Sequence, residues 1–140
     1  MIQIIAGKKG KGKTKYLLAG ANEAVDAATG SIVYIDKNGK HMYELNNKVR
    51  LINVAEYPIR TYNAFVGFIC GILSQDRDIE VIFLDSFLTM AHLEEPDPLT
   101  QAIDDFTALG DKYGIRFVLS ISRDPHALPA NAADKIMIGL

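Results

Sequence analysis

The sequence predicts an α/β fold, a three-layer α/β/α sandwich built on a mostly parallel sheet. Short apolar runs alternate with helix-length segments along the chain, and this alternation is typical of parallel sheets with helices on both faces. Several of the apolar runs are nearly continuous, as expected for strands that are buried on both sides. With 140 residues, 49% of them hydrophobic, the chain suits one domain over residues 1–140.

The first half of the chain contains three predicted strands and one helix. Ile2–Ala6 is a short apolar run, and Lys15–Ala28 is a helical segment closed by Gly30, a residue that commonly follows helix ends. Ser31–Asp36 is rich in β-branched residues and predicts a buried strand. Val49–Ala55 is the third strand, although polar residues interrupt it.

The second helix is predicted over Thr61–Gln75. Its Gly67 and Gly71 are four residues apart and therefore lie on one face. Because glycine permits close approach of another backbone, this pair predicts a tight contact between the helix and the sheet.

The remaining elements continue the alternation. Glu80–Asp85 is the clearest buried strand in the chain. Asp97–Tyr113 places apolar residues at helical spacing, and Gly114 follows its end. Ile115–Ser122 and Lys135–Ile138 are the last two predicted strands.

The loop between the first strand and the first helix reads GKKGKGKT, a full match to the pattern GxxxxGK[ST]. Gly7, Gly10 and Gly12 can adopt backbone angles that turn successive N–H groups towards a phosphate. Lys13 then reaches the β and γ phosphates, and the hydroxyl of Thr14 can bind Mg²⁺. The strand before the motif and the helix after it are the context that this phosphate-binding loop requires.

Lysines crowd this loop, with five of them inside eight residues. Such crowding is unfavourable unless a polyanion lies nearby, and a nucleoside triphosphate is one. The predicted nucleotide-binding residues are Gly7, Lys8, Lys9, Gly10, Lys11, Gly12, Lys13, Thr14 and Lys15.

Polar residues follow several predicted strands, and parallel topology would place them at one edge of the sheet, where ligands bind. This edge should contain Gly7, Asp36, Asp85 and Ser122. Asp85 ends a run of four apolar residues, the hhhhD pattern of a Walker B strand. Its carboxylate is predicted to hold Mg²⁺ opposite the hydroxyl of Thr14.

These motifs resemble those of P-loop NTPases, with a Walker A loop and a Walker B strand. Glu80–Ser122 is similar to the RecA and KaiC-like branch, in which an Asp-Ser pair such as Asp85-Ser86 ends the Walker B strand. Ala133–Ile138 also resembles the Ala-Asp strand that closes such cores. The resemblance implies the P-loop NTPase fold and a small ATPase that binds ATP or GTP with Mg²⁺ and hydrolyses it slowly.

The resemblance also suggests catalytic roles. Asp36 matches the position of the carboxylate that activates water, although a glutamate is commoner there; alternatively, Asp36 caps a turn. Ser122 is a candidate sensor of the γ-phosphate or a solvated strand end, and Arg123 is either an arginine finger or a surface residue. The predicted catalytic residues are Lys13, Asp36, Asp85 and Ser122.

Other function classes remain open. A MinD or ParA-like dimerising ATPase would use Lys8 to reach the neighbouring subunit's nucleotide, although Lys9 replaces the glycine expected there. A nucleotide-binding sensor or assembly subunit would bind without much catalysis. A small-molecule kinase ranks last, because the five arginines are scattered rather than gathered in a lid.

Composition limits the partners and the location. A net charge of −2 does not favour nucleic-acid binding, which stays a hypothesis from the resemblance, as does a homo-oligomer. The single Cys70, the lack of a signal-peptide pattern and the shortness of the apolar segment Tyr62–Leu73 predict a cytoplasmic protein without a membrane span. His41, His92 and His126 are isolated in sequence, so no zinc site is expected.

Overall fold

The computed structural model describes residues 1–93 and 99–140. Its strands are β1 (Ile2–Ala6), β2 (Ser31–Asp36), β3 (Arg50–Asn53), β4 (Ile79–Leu84), β5 (Arg116–Ile121) and β6 (Ile136–Gly139). Its α-helices are α1 (Lys13–Ala27), α2 (Tyr62–Gln75), α3 (Phe87–Met90), α4 (Leu99–Tyr113) and α5 (Ala130–Ala133). The strands form one sheet in the order β3-β2-β4-β5-β1-β6, and every neighbouring pair is parallel. The predicted α/β class and parallel sheet are therefore confirmed.

The two faces of the sheet bury different helices, because successive strand residues point to opposite sides. In β2, Ile32 and Tyr34 belong to a core cluster that includes α1, whereas Val33 and Ile35 belong to a larger cluster with α2 and α4. Helices thus cover both faces, an arrangement compatible with a three-layer sandwich.

Aromatic rings fix the turn that follows β4. The ring of Phe87, at the start of α3, lies 5.3 Å from that of Phe106 in α4, in edge-to-face geometry. Phe106 in turn lies 5.1 Å from Phe117 in β5, also edge to face. All three side chains are fully buried. Edge-to-face pairs of this kind add to the stability gained from burial, so the segment just after Asp85 is anchored to α4 and, through Phe106, to β5.

Two expectations about glycines are wrong. Gly67 and Gly71 are exposed, and a Cβ atom at either would meet nothing within 4 Å, so they mark no tight contact. Gly30 does not end α1 in a left-handed conformation; the helix is capped by Ala28. A Cβ atom at Gly30 would instead lie 2.0 Å from the carbonyl oxygen of Asp78, so glycine is required there by packing.

Element boundaries shift slightly from those expected. Helix α1 begins at Lys13, inside the GKKGKGKT segment, and strand β3 is shorter than predicted at both ends. Thr61 is the cap of α2 rather than its first residue, and its hydroxyl accepts a hydrogen bond from the N–H of Ala64. The predicted start of α4 at Asp97 lies outside the described residues. Across the described chain, no helix combines the length and apolar character needed to cross a bilayer.

Candidate functional site

A cavity of about 580 Å³ opens at the edge where the strands end. Its walls include Lys13 and Thr14 from the start of α1, Asp85 from the end of β4, and Ser122 and Arg123 from the segment after β5. Pockets of this volume typically hold small molecules and cofactors. Of the four strand-end residues predicted for this edge, Asp85 and Ser122 line the cavity, whereas Gly7 and Asp36 do not.

The glycine-rich loop adopts the conformation that its sequence predicts at two positions. Gly10 and Gly12 have φ angles of +84°, a left-handed region that favours glycine. Gly12 directly precedes α1, and no side chain caps this helix end. The first N–H groups of α1 therefore lack a capping oxygen at the cavity, where an anion can accept their hydrogen bonds.

Gly7 has a different reason to be glycine from the one expected. Its backbone is not left-handed, but a Cβ atom there would lie 2.9 Å from the Cβ atom of Leu140. Its N–H donates to the carbonyl oxygen of Ile121, 3.2 Å away. Gly7 therefore permits close packing between the start of the loop and Leu140, the residue that follows β6.

Lys13 is held with its charge beside the cavity. Its side chain is buried, and its Nζ donates to the carbonyl oxygens of Gly7, at 2.7 Å, and Lys8, at 3.2 Å. Burial lowers the pKa of Lys13, and the nearby Asp85 opposes that shift. Two carbonyls thus orient an ammonium group that would reach a phosphate placed in the loop.

Three hydroxyl groups surround the buried Asp85 carboxylate. The Thr14 hydroxyl donates to Oδ2 at 3.0 Å and approaches Oδ1 at 3.3 Å. Tyr34 donates to Oδ2 at 3.0 Å, and Ser120 donates to Oδ1 at 2.9 Å. Burial and the adjacent Asp85 raise the pKa of Tyr34, so its hydroxyl stays a donor. These bonds hold the carboxylate in one orientation.

The turn after Asp85 is also constrained. Ser86 has a φ of 55°, which is uncommon for a residue other than glycine, and its N–H donates to the Ser120 hydroxyl at 2.8 Å. Tyr34 and Ser120 were not linked to Asp85 from sequence. Their only signal is that each is a polar side chain that interrupts the apolar run of its strand.

Asp36 lies beside Asp85 but does not contribute to the cavity wall. It is only 2% exposed; its Oδ1 accepts from the Lys37 N–H at 2.8 Å, whereas its Oδ2 has no hydrogen-bond partner. Burial raises the pKa of Asp36, and the negative charge of Asp85 raises it further. The bond to Lys37 is of the local kind that the turn-capping interpretation predicts, and water activation by Asp36 stays a prediction.

The basic residues of the loop divide into two groups. Lys9 and Lys13 line the cavity, whereas Lys8, Lys11 and Lys15 are exposed and do not line it. Ser122 and Arg123 both contribute to the wall, as their predicted roles require. Glu94 and Glu95, which follow β4 in sequence, lie outside the described residues.

His41 is not isolated in the fold, contrary to the expectation from sequence. One potential ligand atom from each of Asp36, His41 and Asp85 lies within 4.8 Å of the other two. His92 instead contacts the carbonyl oxygen of Ile59, and His126 is exposed. The proximity of His41 to two carboxylates depends on strand order, which no local pattern reveals.

Comparison with protein-family models and with curated protein sequences found no match. The resemblance to P-loop NTPases therefore depends on the motifs of the chain itself.

Proposed function

We propose that the protein binds a nucleoside triphosphate, preferentially ATP, together with Mg²⁺, and hydrolyses it slowly in the cytoplasm. The observation that carries this proposal is the convergence of three groups on one cavity: the Lys13 ammonium, the Thr14 hydroxyl and the Asp85 carboxylate. Each has the chemistry that a magnesium-bound triphosphate requires.

The phosphates would lie in the glycine-rich loop. Left-handed Gly10 and Gly12 shape this loop, and the uncapped N-terminus of α1 adds hydrogen-bond donors and a positive dipole. Lys13 supplies a full positive charge from the same wall, with Lys9 nearby. Backbone donors and charge together favour a polyphosphate over a singly charged anion.

Thr14 and Asp85 fit a magnesium site. Mg²⁺ prefers oxygen ligands, and the two side chains already lie within 3.0 Å of each other at the cavity. When bound, Mg²⁺ would neutralise phosphate charge as it develops during transfer. Tyr34 and Ser120 would hold the Asp85 carboxylate in place by their hydrogen bonds.

The scarcity of carboxylates in the cavity wall supports slow hydrolysis. Among the described residues that line the cavity, Asp85 contributes the one carboxylate, and it is occupied by hydroxyl donors. Efficient hydrolysis needs a group that positions the attacking water. Asp36, the residue suggested for this role, is buried behind the wall rather than part of it. We expect turnover to be slow without a partner or a conformational change.

The preference for ATP is inferred from the sequence alone. The sequence lacks the Asn-Lys-x-Asp motif that commonly recognises guanine. We therefore include GTP as a competing ligand in the test.

The first experiment is calorimetric titration of ATP and GTP with Mg²⁺, followed by a phosphate-release assay on the same samples. Lys13→Ala should weaken binding at least tenfold, because it removes the buried charge from the loop. Lys48→Ala is the matched control, since Lys48 is exposed and outside the cavity wall. It should bind as the unmodified protein does.

The outcomes separate the alternatives. Binding with slow phosphate release supports an NTPase. Binding without release indicates a nucleotide sensor or assembly subunit. Equal affinity of Lys13→Ala and the unmodified protein, or no binding of either nucleotide, would refute the proposal.

A further inference from the structure

The group formed by Asp36, His41 and Asp85 lies next to the nucleotide cavity but extends away from it. Asp36 ends β2, His41 follows in the loop before β3, and Asp85 follows β4. Of these, only Asp85 lines the cavity. Two carboxylates and an imidazole are thus gathered by neighbouring strands, and the proposed nucleotide chemistry leaves His41 without a role.

The evidence for a ligand comes from the surroundings of Asp36. It is 2% exposed, and its Oδ2 has no hydrogen-bond partner among the described residues. A buried carboxylate oxygen without a partner is costly, and such groups are usually paired or bound to a metal. The neighbouring Asp85 adds a second negative charge, and Lys13 is already bound to two carbonyl groups. A cation beside Asp36 would neutralise this charge.

The imidazole indicates which class of cation. Mg²⁺ is bound mainly by oxygen, whereas a set that includes a histidine nitrogen favours ions such as Zn²⁺, Co²⁺ or Mn²⁺. The Nδ1 atom of His41 pairs with a carboxylate oxygen of Glu44. Carboxylate–histidine pairing of this kind orients the imidazole rings of many metal sites, and it would leave Nε2 to bind the ion.

We propose that Asp36, His41 and Asp85 form a binding site for a divalent transition-metal ion. One potential ligand atom from each residue lies within 4.8 Å of the other two, and ligand atoms in a tetrahedral zinc site are about 3.4 Å apart. Small rotations of these side chains would complete the site, with water filling the remaining positions. The half-buried His41 forms its most accessible side.

This site goes beyond the proposed function and does not require nucleotide. Asp85 is common to both, because its carboxylate has two oxygens and faces both the cavity and Asp36. Asp36 and His41 are specific to the transition-metal site. Substitutions at these two residues therefore distinguish it from the magnesium site.

The test is titration of metal-free, nucleotide-free protein with Zn²⁺ by calorimetry, and with Co²⁺, whose visible absorption reports its ligands. We expect one ion per chain. His41→Ala and Asp36→Asn should each weaken binding at least about tenfold and change the Co²⁺ spectrum. His126→Ala, which removes an exposed histidine outside the cluster, should bind as the unmodified protein does. Circular dichroism checks that each variant is folded.

The proposal would be overturned if the unmodified protein bound no Zn²⁺. It would also be overturned if neither His41→Ala nor Asp36→Asn weakened Zn²⁺ binding, or if His126→Ala weakened it equally. Lys13→Ala separates the two sites. It should lose nucleotide and still bind Zn²⁺, so failure of nucleotide binding does not affect this result. Conversely, intact ATP binding with no Zn²⁺ binding would refute the transition-metal site alone.

Discussion

Asp85 shows how a single buried carboxylate is stabilised by neutral groups. It is 3% exposed and receives hydrogen bonds from the hydroxyls of Thr14, Tyr34 and Ser120. Hydrogen bonds to an ionised acceptor are stronger than those between neutral groups. They compensate part of the cost of removing the charge from water while leaving the carboxylate able to bind a cation.

Tyr34→Phe tests this arrangement at the level of one residue. The change removes a hydroxyl that donates to Asp85 at 3.0 Å but keeps the buried ring, so we expect the free energy of unfolding to fall by about 1–2 kcal/mol. Chemical denaturation followed by circular dichroism measures the change. Tyr43→Phe is the control, because Tyr43 is 91% exposed and should contribute little. Equal effects of the two substitutions would contradict the hydrogen-bonding role of Tyr34.

At the level of elements, the connection between α1 and β2 is constrained by its contact with β4. The carboxylate of Glu80 accepts hydrogen bonds from the Thr29 hydroxyl and from the N–H groups of Thr29 and Gly30. The Ser31 N–H donates to the carbonyl oxygen of Asp78 at 2.8 Å. This turn therefore aligns the start of β2 with the start of β4, and so helps to place Asp36 beside Asp85 at the opposite ends.

Gly30→Ala and Gly67→Ala should change stability in opposite directions. At Gly30 a methyl group would lie 2.0 Å from a backbone oxygen, so the turn must shift, with an expected loss of about 1–3 kcal/mol. At Gly67, inside α2, a methyl group meets open space and should raise stability by up to about 1 kcal/mol through helix propensity. Thermal and chemical unfolding measure both. Stabilisation by Gly30→Ala would contradict the packing at this turn.

At the scale of the molecule, strand order decides which polar ends meet. Strand β4 lies between β2 and β5, with Leu84 opposite Ile35 on one side and Leu119 on the other. The next residue, Asp85, therefore lies between Asp36 and Ser120. Strand β1 follows on the far side of β5, and the loop after it brings Thr14 to the same carboxylate.

Binding of nucleotide should stabilise the whole fold, since the proposed site joins segments from several strands. At a free Mg-ATP concentration about 100 times the dissociation constant, linkage adds roughly 2.7 kcal/mol to the free energy of unfolding. For a chain of this size the melting temperature should rise by several degrees. Differential scanning calorimetry would show this shift for the unmodified protein and for Lys48→Ala. Under the same conditions the melting temperature of Lys13→Ala should change little. A rise equal to that of the unmodified protein would argue against binding in the loop.

Local patterns in the sequence are sufficient to predict the α/β class, the main helices and strands to within a few residues, and the positions of the glycine-rich loop and of Asp85. These features depend on near neighbours: side-chain periodicity, glycine's access to left-handed angles, and an aspartate directly after an apolar run. The three-dimensional arrangement was needed to show that Tyr34 and Ser120 donate hydrogen bonds to Asp85, that Asp36 is buried with an unpartnered oxygen, and that His41 lies beside the two carboxylates. It also showed that Gly7 and Gly30 serve packing. The reason is physical, because strand order and register arise from contacts between segments far apart in the chain, and no local pattern encodes which strand ends become neighbours.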